Sequence, residues 1–198
     1  MKKIFVFICA LAVFPLFGET NILVFAGSLR AGSYNKQLAQ EAAETARKLG
    51  AKVTVIDLND FPMPFYDADL EAKQGMPKNA KRLRALMIAS DAVIISSPEY
   101  NSSIPAVLKN ALDWVSRSED GGSSRDAYKG KKFAIMSAAA GKSGGARGLV
   151  HLRSIIEDVG GEVVPFQVTV PSAYQPGAMD NSSVVSQLQT QLQEVVKR

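Results

Sequence analysis

Asn21-Ile22-Leu23-Val24-Phe25-Ala26-Gly27-Ser28-Leu29-Arg30-Ala31-Gly32-Ser33-Tyr34-Asn35 is the stretch from which the rest of the chain is read. An apolar, β-branched run stops at glycine. Hydroxyls, an arginine and a second glycine follow, and alanine, leucine and glutamate then recur at helical spacing. The pattern predicts a buried strand, an anion-binding loop and a helix N-terminus. A helix start leaves backbone N–H groups without partners and carries partial positive charge, so a phosphate group there gains amide hydrogen bonds and dipole attraction together. Ser28, Ser33 and Asn35 add short neutral donors, and Arg30 adds a fixed charge.

Two named phosphate motifs fail on this loop. A dinucleotide fingerprint needs G-x-G-x-x-G, whereas the glycines stand at Gly27 and Gly32 with no third in register. The Walker spacing G-x-x-x-x-G is met, but Ser33 stands where the phosphate-reaching lysine is required. Gly141-Lys142-Ser143 looks like the end of such a loop, yet its first glycine would fall on Met136. What remains is a hydroxyl-rich loop for one terminal phosphate, of the kind FMN carries. The plainer reading is a strand-to-helix turn capped by Ser33.

Outward from this stretch, helical spacing runs from Ser33 to Leu49, with Leu38, Ala42, Thr45, Ala46 and Leu49 on one face and Gly50 closing it. A strand is predicted over Ala51 to Leu58. The segment Phe61 to Tyr66 is interrupted by two prolines and reads as an aromatic loop. Pro77 to Ser90 reads as a helix with Leu83, Leu86 and Met87 facing inward. Asp91 to Ser97 is an apolar strand ending in Pro98-Glu99-Tyr100-Asn101, followed by a helix from Ile104. Lys131 to Ala139 is a fourth strand, the segment to Gly145 a glycine-rich turn, and Ala146 to Val159 a helix. Glu162 to Val170 is predicted as one fifth strand, placed at an edge by Pro165. A last helix carries Val184, Leu188, Leu192 and Val195 on one stripe.

Five apolar strands alternating with helices imply a parallel sheet covered on both faces, a doubly wound three-layer α/β sandwich. Ligands of such sheets bind beyond the carboxyl ends of the strands. That rule brings Ser28 to Asn35, Pro98 to Asn101 and Ser137 to Gly145 to one end.

The chain has 198 residues, 46% of them apolar, and a net charge of +4, which fits one domain with a full core. No basic run interleaved with aromatics marks a nucleic-acid groove, and Lys81-Arg82-Leu83-Arg84 reads as a solvated helix face. Lys2 and Lys3 precede an apolar run from Ile4 to Phe17 and then Gly18, the pattern of a signal peptide. Residues 1–18 are therefore set apart from the domain at 19–198. The run is shorter than the roughly 20 residues of a bilayer span, and no integral membrane segment is expected after residue 18. Export or membrane tethering follows if residues 1–18 act as a signal, and a cytoplasmic location if they do not. Cys9 is the only cysteine and lies in this run, so the domain has no thiol nucleophile, disulfide or cysteine metal site. His151 is the only histidine, and no metal-ligand cluster or Ser-His-Asp set is present.

Gly27-Ser28-Leu29-Arg30-Ala31-Gly32-Ser33-Tyr34-Asn35, Ser97-Pro98-Glu99-Tyr100-Asn101, Pro105 to Trp114 and Gly144-Gly145-Ala146-Arg147 closely resemble the NADPH-dependent FMN reductase family, over about Asn21 to Val170. The resemblance implies a flavodoxin-like fold with a five-stranded parallel sheet in the order 2-1-3-4-5, and a homodimer or homotetramer. It implies FMN as cofactor and NADPH as hydride donor, with a quinone, flavin or similar small oxidised molecule as acceptor. It places Ser28, Arg30, Ser33 and Asn35 on the FMN phosphate and Pro98, Glu99, Tyr100 and Asn101 beside the isoalloxazine. Ser137 with Gly141, Gly144 and Gly145 would close the other side of the flavin, and Arg147 would meet the NADPH phosphate. No protein residue need be catalytic, because hydride chemistry belongs to flavin N5. The competing expectation is a flavodoxin-type electron carrier without NADPH activity, and a third is a regulatory nucleotide-binding domain.

Overall fold

A computed structural model describes residues 19–197. The signal-peptide-like segment lies outside the described residues.

The opening stretch folds as β1 (Asn21–Ala26), the loop, and α1 (Tyr34–Lys48). In chain order there follow β2 (Lys52–Ile56), α2 (Ala68–Gln74), α3 (Lys78–Ala89), β3 (Ala92–Ser96) and α4 (Ala106–Val115). The remainder comprises β4 (Lys132–Ala138), α5 (Ala146–Asp158), β5 (Glu162–Val163), β6 (Val168–Val170) and α6 (Ser182–Val196). All strand pairs are parallel, in the order β2-β1-β3-β4-β5, with β6 also on β4. This is the expected doubly wound sheet.

Strand alternation explains why β1 is apolar from Ile22 to Ala26. Ile22 and Val24 pack with α1 and α6 on one face, while Leu23 and Phe25 pack with α3, α4 and α5 on the other. Ile94 and Met136 repeat the first pattern, and Val93, Ile95, Phe133 and Ile135 the second. Both faces are therefore core. Burying each such side chain contributes about 1.5–3 kcal/mol. At Gly27 the chain leaves β1 so close to α4 that an added Cβ would stand 2.8 Å from a Leu108 methyl carbon.

The expected fifth strand divides in two. Val163 is opposite Phe133 and Val168 opposite Met136, so Ala134 and Ile135 of β4 face the four residues 164–167. Pro165 has no N–H to offer the ladder, and the extra residues bulge out around it. The fully buried Gln191 of α6 supplies the missing donor: its Nε2 reaches Ile135 O at 2.9 Å and Phe166 O at 2.8 Å.

Two further differences from the sequence reading have plain causes. Helix α2 follows the expected Phe61 to Tyr66 loop in a stretch to which the sequence reading assigned no element; Asp67 accepts the N–H groups of Asp69 and Leu70, a short-range cap that outweighs the absence of a long apolar stripe. The Lys81 to Arg84 face is only partly solvated, since Arg84 is buried and bonded to Ser124 and Asp126. Trp114 belongs to the core, its indole N–H on Pro64 O.

Replacing Gln191 by Leu keeps the volume and removes the donor from the buried Ile135 carbonyl and the part-buried Phe166 carbonyl. The expected cost is about 1–3 kcal/mol. It should appear in urea unfolding as a lower midpoint at unchanged slope; an unaltered midpoint would mean that the bulge does not depend on this amide.

Candidate functional site

The carboxyl ends of β1, β3 and β4 carry the three expected loops, and one cavity lies between them. It is lined by Ser28, Arg30, Ser33, Tyr34 and Asn35 from the first, Pro98, Glu99 and Tyr100 from the second, and Ala138, Ala139 and Ala140 from the third. Arg30 and Tyr100 thus share a cleft.

Its floor is an amide start of the kind that suits an anion. Ser33 occupies the N-cap position of α1, but its side chain caps nothing. The first carbonyl-bonded amides are those of Lys36 and Gln37, both on Ser33 O, so the N–H groups of Tyr34 and Asn35 find no carbonyl. A capping serine would have closed this end of the helix. Here the hydroxyls of the buried Ser28 and Ser33 stay on the cavity wall; the Ser28 oxygen accepts only a long bond, 3.3 Å, from Arg30 N. The exposed Arg30 guanidinium lies 6.0 Å from the Tyr34 ring centre. Asn59 holds the loop from outside through Leu29 O at 2.9 Å.

Asn35 lines the cavity with its side chain already committed. Its oxygen accepts from Ser96 Oγ at 2.9 Å and Ala138 N at 3.0 Å, and its Nδ2 donates to Ala138 O at 2.8 Å. It fixes the first and third loops to each other.

The second loop is a two-residue hairpin. Tyr100 and Ser103 exchange backbone hydrogen bonds of 2.9 and 3.0 Å around Asn101 and Ser102, whose φ angles are +50° and +65°. Turns of this hand match strand twist but favour glycine at the second position. Serine there stores backbone strain next to the cavity. The turn presents Tyr100, 53% exposed, at the cavity mouth, while Asn101 is not on its wall.

Glu99 is held from the far side. Its carboxylate accepts N–H bonds from Arg147 and Gly148 at the start of α5 and an ion pair from the Arg147 side chain at 2.7 Å. Burial pushes the Glu99 pKa up, but Arg147 and these amides outweigh it and leave the carboxyl below its ordinary value. Arg147, expected on a coenzyme phosphate, is thus paired with Glu99.

Ser137, Gly141, Gly144 and Gly145 are not on the cavity wall. Ser137 is fully buried, its hydroxyl without a partner among the described residues and turned toward Gly145. A Cβ at Gly145 would stand 1.9 Å from that oxygen, and its φ of +88° also favours glycine. These residues let α5 approach β4 behind the cavity. Tyr34 and Ala138 to Ala140 are lining residues that sequence reasoning did not single out. The signal was present: Tyr34 lies inside the phosphate stretch and the alanines directly follow a strand's carboxyl end.

Among the described residues there is no group of acidic, histidine or cysteine side chains able to hold a metal. His151 sits on the exposed face of α5 with its ring on Ser103 Oγ at 2.9 Å. The donor set fits a phosphate at Ser28, Arg30 and Ser33, and the apolar wall of Pro98, Tyr100 and the three alanines fits a flat ring.

Residues 20–175 match the family described as NADPH-dependent FMN reductase. The chain is 38% identical over 138 residues to the NAD(P)H-dependent FMN reductase of Pseudomonas aeruginosa, an overlap of 70% of each chain. It is 36% identical over 141 residues to the quinone reductase of Escherichia coli K12, again 70% of each. A flavoenzyme NAD(P)H:(acceptor) oxidoreductase from Paracoccus denitrificans superposes with a TM-score of 0.69 at 27% identity, over 89% of this chain and 95% of that one.

Two outcomes follow from the site geometry. Ser102→Gly should raise the urea midpoint slightly, because the left-handed strain of about 1–2 kcal/mol that it relieves exceeds the roughly 0.5–1 kcal/mol of chain freedom that glycine forfeits; a lower midpoint would contradict a strained turn. Because the folded pKa of Glu99 is depressed, its contribution to stability is present above the ordinary carboxyl value of 4.5 and lost as pH falls through the folded value. Glu99→Gln should therefore be less stable at pH 7 and show a shallower decline in stability below pH 4.5, measured by urea unfolding across pH.

Proposed function

Since the chain belongs to the NADPH-dependent FMN reductase family and is an oxidoreductase, we propose that it reduces a quinone, a free flavin or a similar small oxidised acceptor at the expense of NADPH, by ping-pong kinetics. The observation that carries this reading is the single cavity joining Ser28, Arg30 and Ser33 to Pro98 and Tyr100. FMN, when bound, would supply the two-electron redox chemistry that links NADPH to the acceptor.

The chain's own residues bind and orient. Ser28, Ser33 and the free amides of Tyr34 and Asn35 hold the phosphate, and Arg30 adds charge-assisted hydrogen bonds. Pro98, Glu99, Tyr100 and the alanines 138 to 140 border the ring and keep water from one side of it, while Asn35, Asn101, Ser137 and the turn from Gly141 to Gly145 support the wall. Glu99 remains ionised and bonded to Arg147, so it does not act as a proton donor at neutral pH. One opening at Tyr100 serves both substrates in turn, which is the physical basis for expecting ping-pong order. We extend the reading to a homodimer or homotetramer. A contact between copies would cover Phe65, an apolar side chain 75% exposed and flanked by the backbone bonds of Pro64 and Tyr66 to Asn110 and Trp114.

Reconstituted protein should be yellow and oxidise NADPH with a quinone, giving parallel double-reciprocal lines. Arg30→Ala should weaken FMN binding by about 1.5–3 kcal/mol, roughly 10- to 150-fold. Unchanged affinity would remove Arg30 from the phosphate site. Retained FMN without NADPH oxidation would leave an electron carrier instead.

A further inference from the structure

A second cavity, of about 510 Å³, lies against the flavin cleft, between α1 and the segment from Ala173 to Asp180 that leads from β6 to α6. Its size is within the range of small-ligand sites. Tyr34 lines both cavities, so the second begins where the phosphate site ends. The wall between them is continuous, because Ala173 N–H bonds at 3.0 Å to the carbonyl of Ala139, which lines the cleft.

The far wall is a built loop. Turns close it at Gln175 N to Ser172 O, 2.9 Å, and at Ala178 N to Gln175 O, 3.1 Å, and Asn181 ties it to α6 by capping Val184 N while bonding Ala178 O. Ala173 and Met179 are buried in the core, yet between them Tyr174 is 59% exposed and lines the cavity. Two tyrosines thus border a polar recess. Gln37 and Gln175 carry side-chain amides with no partner among the described residues, and such amides pair with the donor and acceptor edge of adenine. Among the described residues, Glu41 and Asp180 are the charged groups on the wall. Carboxylates there suit the hydroxyls of a ribose and repel a phosphate.

We propose that this cavity holds the adenosine of a dinucleotide whose phosphates sit at the Arg30 loop, so that the protein takes FAD as well as FMN. Nothing in the first cavity needs to change: the flavin lies as FMN would, and the adenylate continues past Tyr34 to stack on Tyr174. The two carboxylates select against an adenosine bearing a 2′-phosphate, which separates this subsite from one for the NADPH tail. The inference rests on the flavin reading of the first cavity.

Isothermal titration of the full chain stripped of flavin tests it. FAD should bind at least as tightly as FMN, and Tyr174→Ala should weaken FAD on the order of tenfold, the scale of a lost base–aromatic stack, while moving FMN less than twofold. ADP should displace FMN, and adenosine 2′,5′-bisphosphate should do so less well than ADP. FMN binding with FAD tenfold weaker, equal loss of both flavins in Tyr174→Ala, or preference for the bisphosphate would each overturn the proposal while leaving the FMN site intact. Failure of both flavins to bind would instead overturn the flavin reading, and this inference with it.

Discussion

One buried amide joins the parts on which the site depends. Asn35, in the first turn of α1, accepts from Ser96 Oγ at the end of β3 and from Ala138 N at the end of β4, and returns a bond to Ala138 O. The carboxyl ends of β3 and β4 and the start of α1 are thereby locked together at the place where the strand order reverses. Each bond is worth only about 1 kcal/mol net. Leaving their buried partners unmet would cost more, so the arrangement is held by the penalty of every alternative.

Rigidity of this kind explains how a cleft without an acid–base pair can belong to an oxidoreductase. A flavin needs a fixed phosphate anchor, a flat wall and an opening, and the proposed site offers amides, alanines and a tight turn for them. The carboxylate on the cleft wall is already satisfied, Glu99 being held by Arg147 and two amides. Arg30 is the cation left facing the cleft among its lining residues. A single positive charge beside open helix amides has the chemistry that suits an anion.

What could be read in advance differed from element to element for physical reasons. The strands and long helices were legible because burial on both faces writes unbroken apolar runs and 3.6-residue stripes. Helix α2 was not, because a seven-residue helix fixed by Asp67 and by Glu71 on Arg117 has too little periodicity to announce itself. Pro165 signalled an irregular edge, but the repair of that edge came from Gln191, 26 positions later, and no local pattern reveals such a partner. Ser33 shows the converse. Its sequence context is that of a helix cap, and the fold leaves that hydroxyl uncapped and turned to the cleft.

By itself the sequence determined the parallel sandwich and the convergence of the loop from Ser28 to Asn35 with the Tyr100 loop, because periodicity and helix-end chemistry are local properties. Tertiary structure alone decided which of those groups stay free. Asn35 and Glu99 read as ligands in the chain but are occupied by distant backbone and by Arg147, Ser137 turns to Gly145, and Tyr34 comes to border two cavities. Availability depends on what packing brings within 3 Å, and that is set by contacts across a hundred residues rather than by neighbours in sequence.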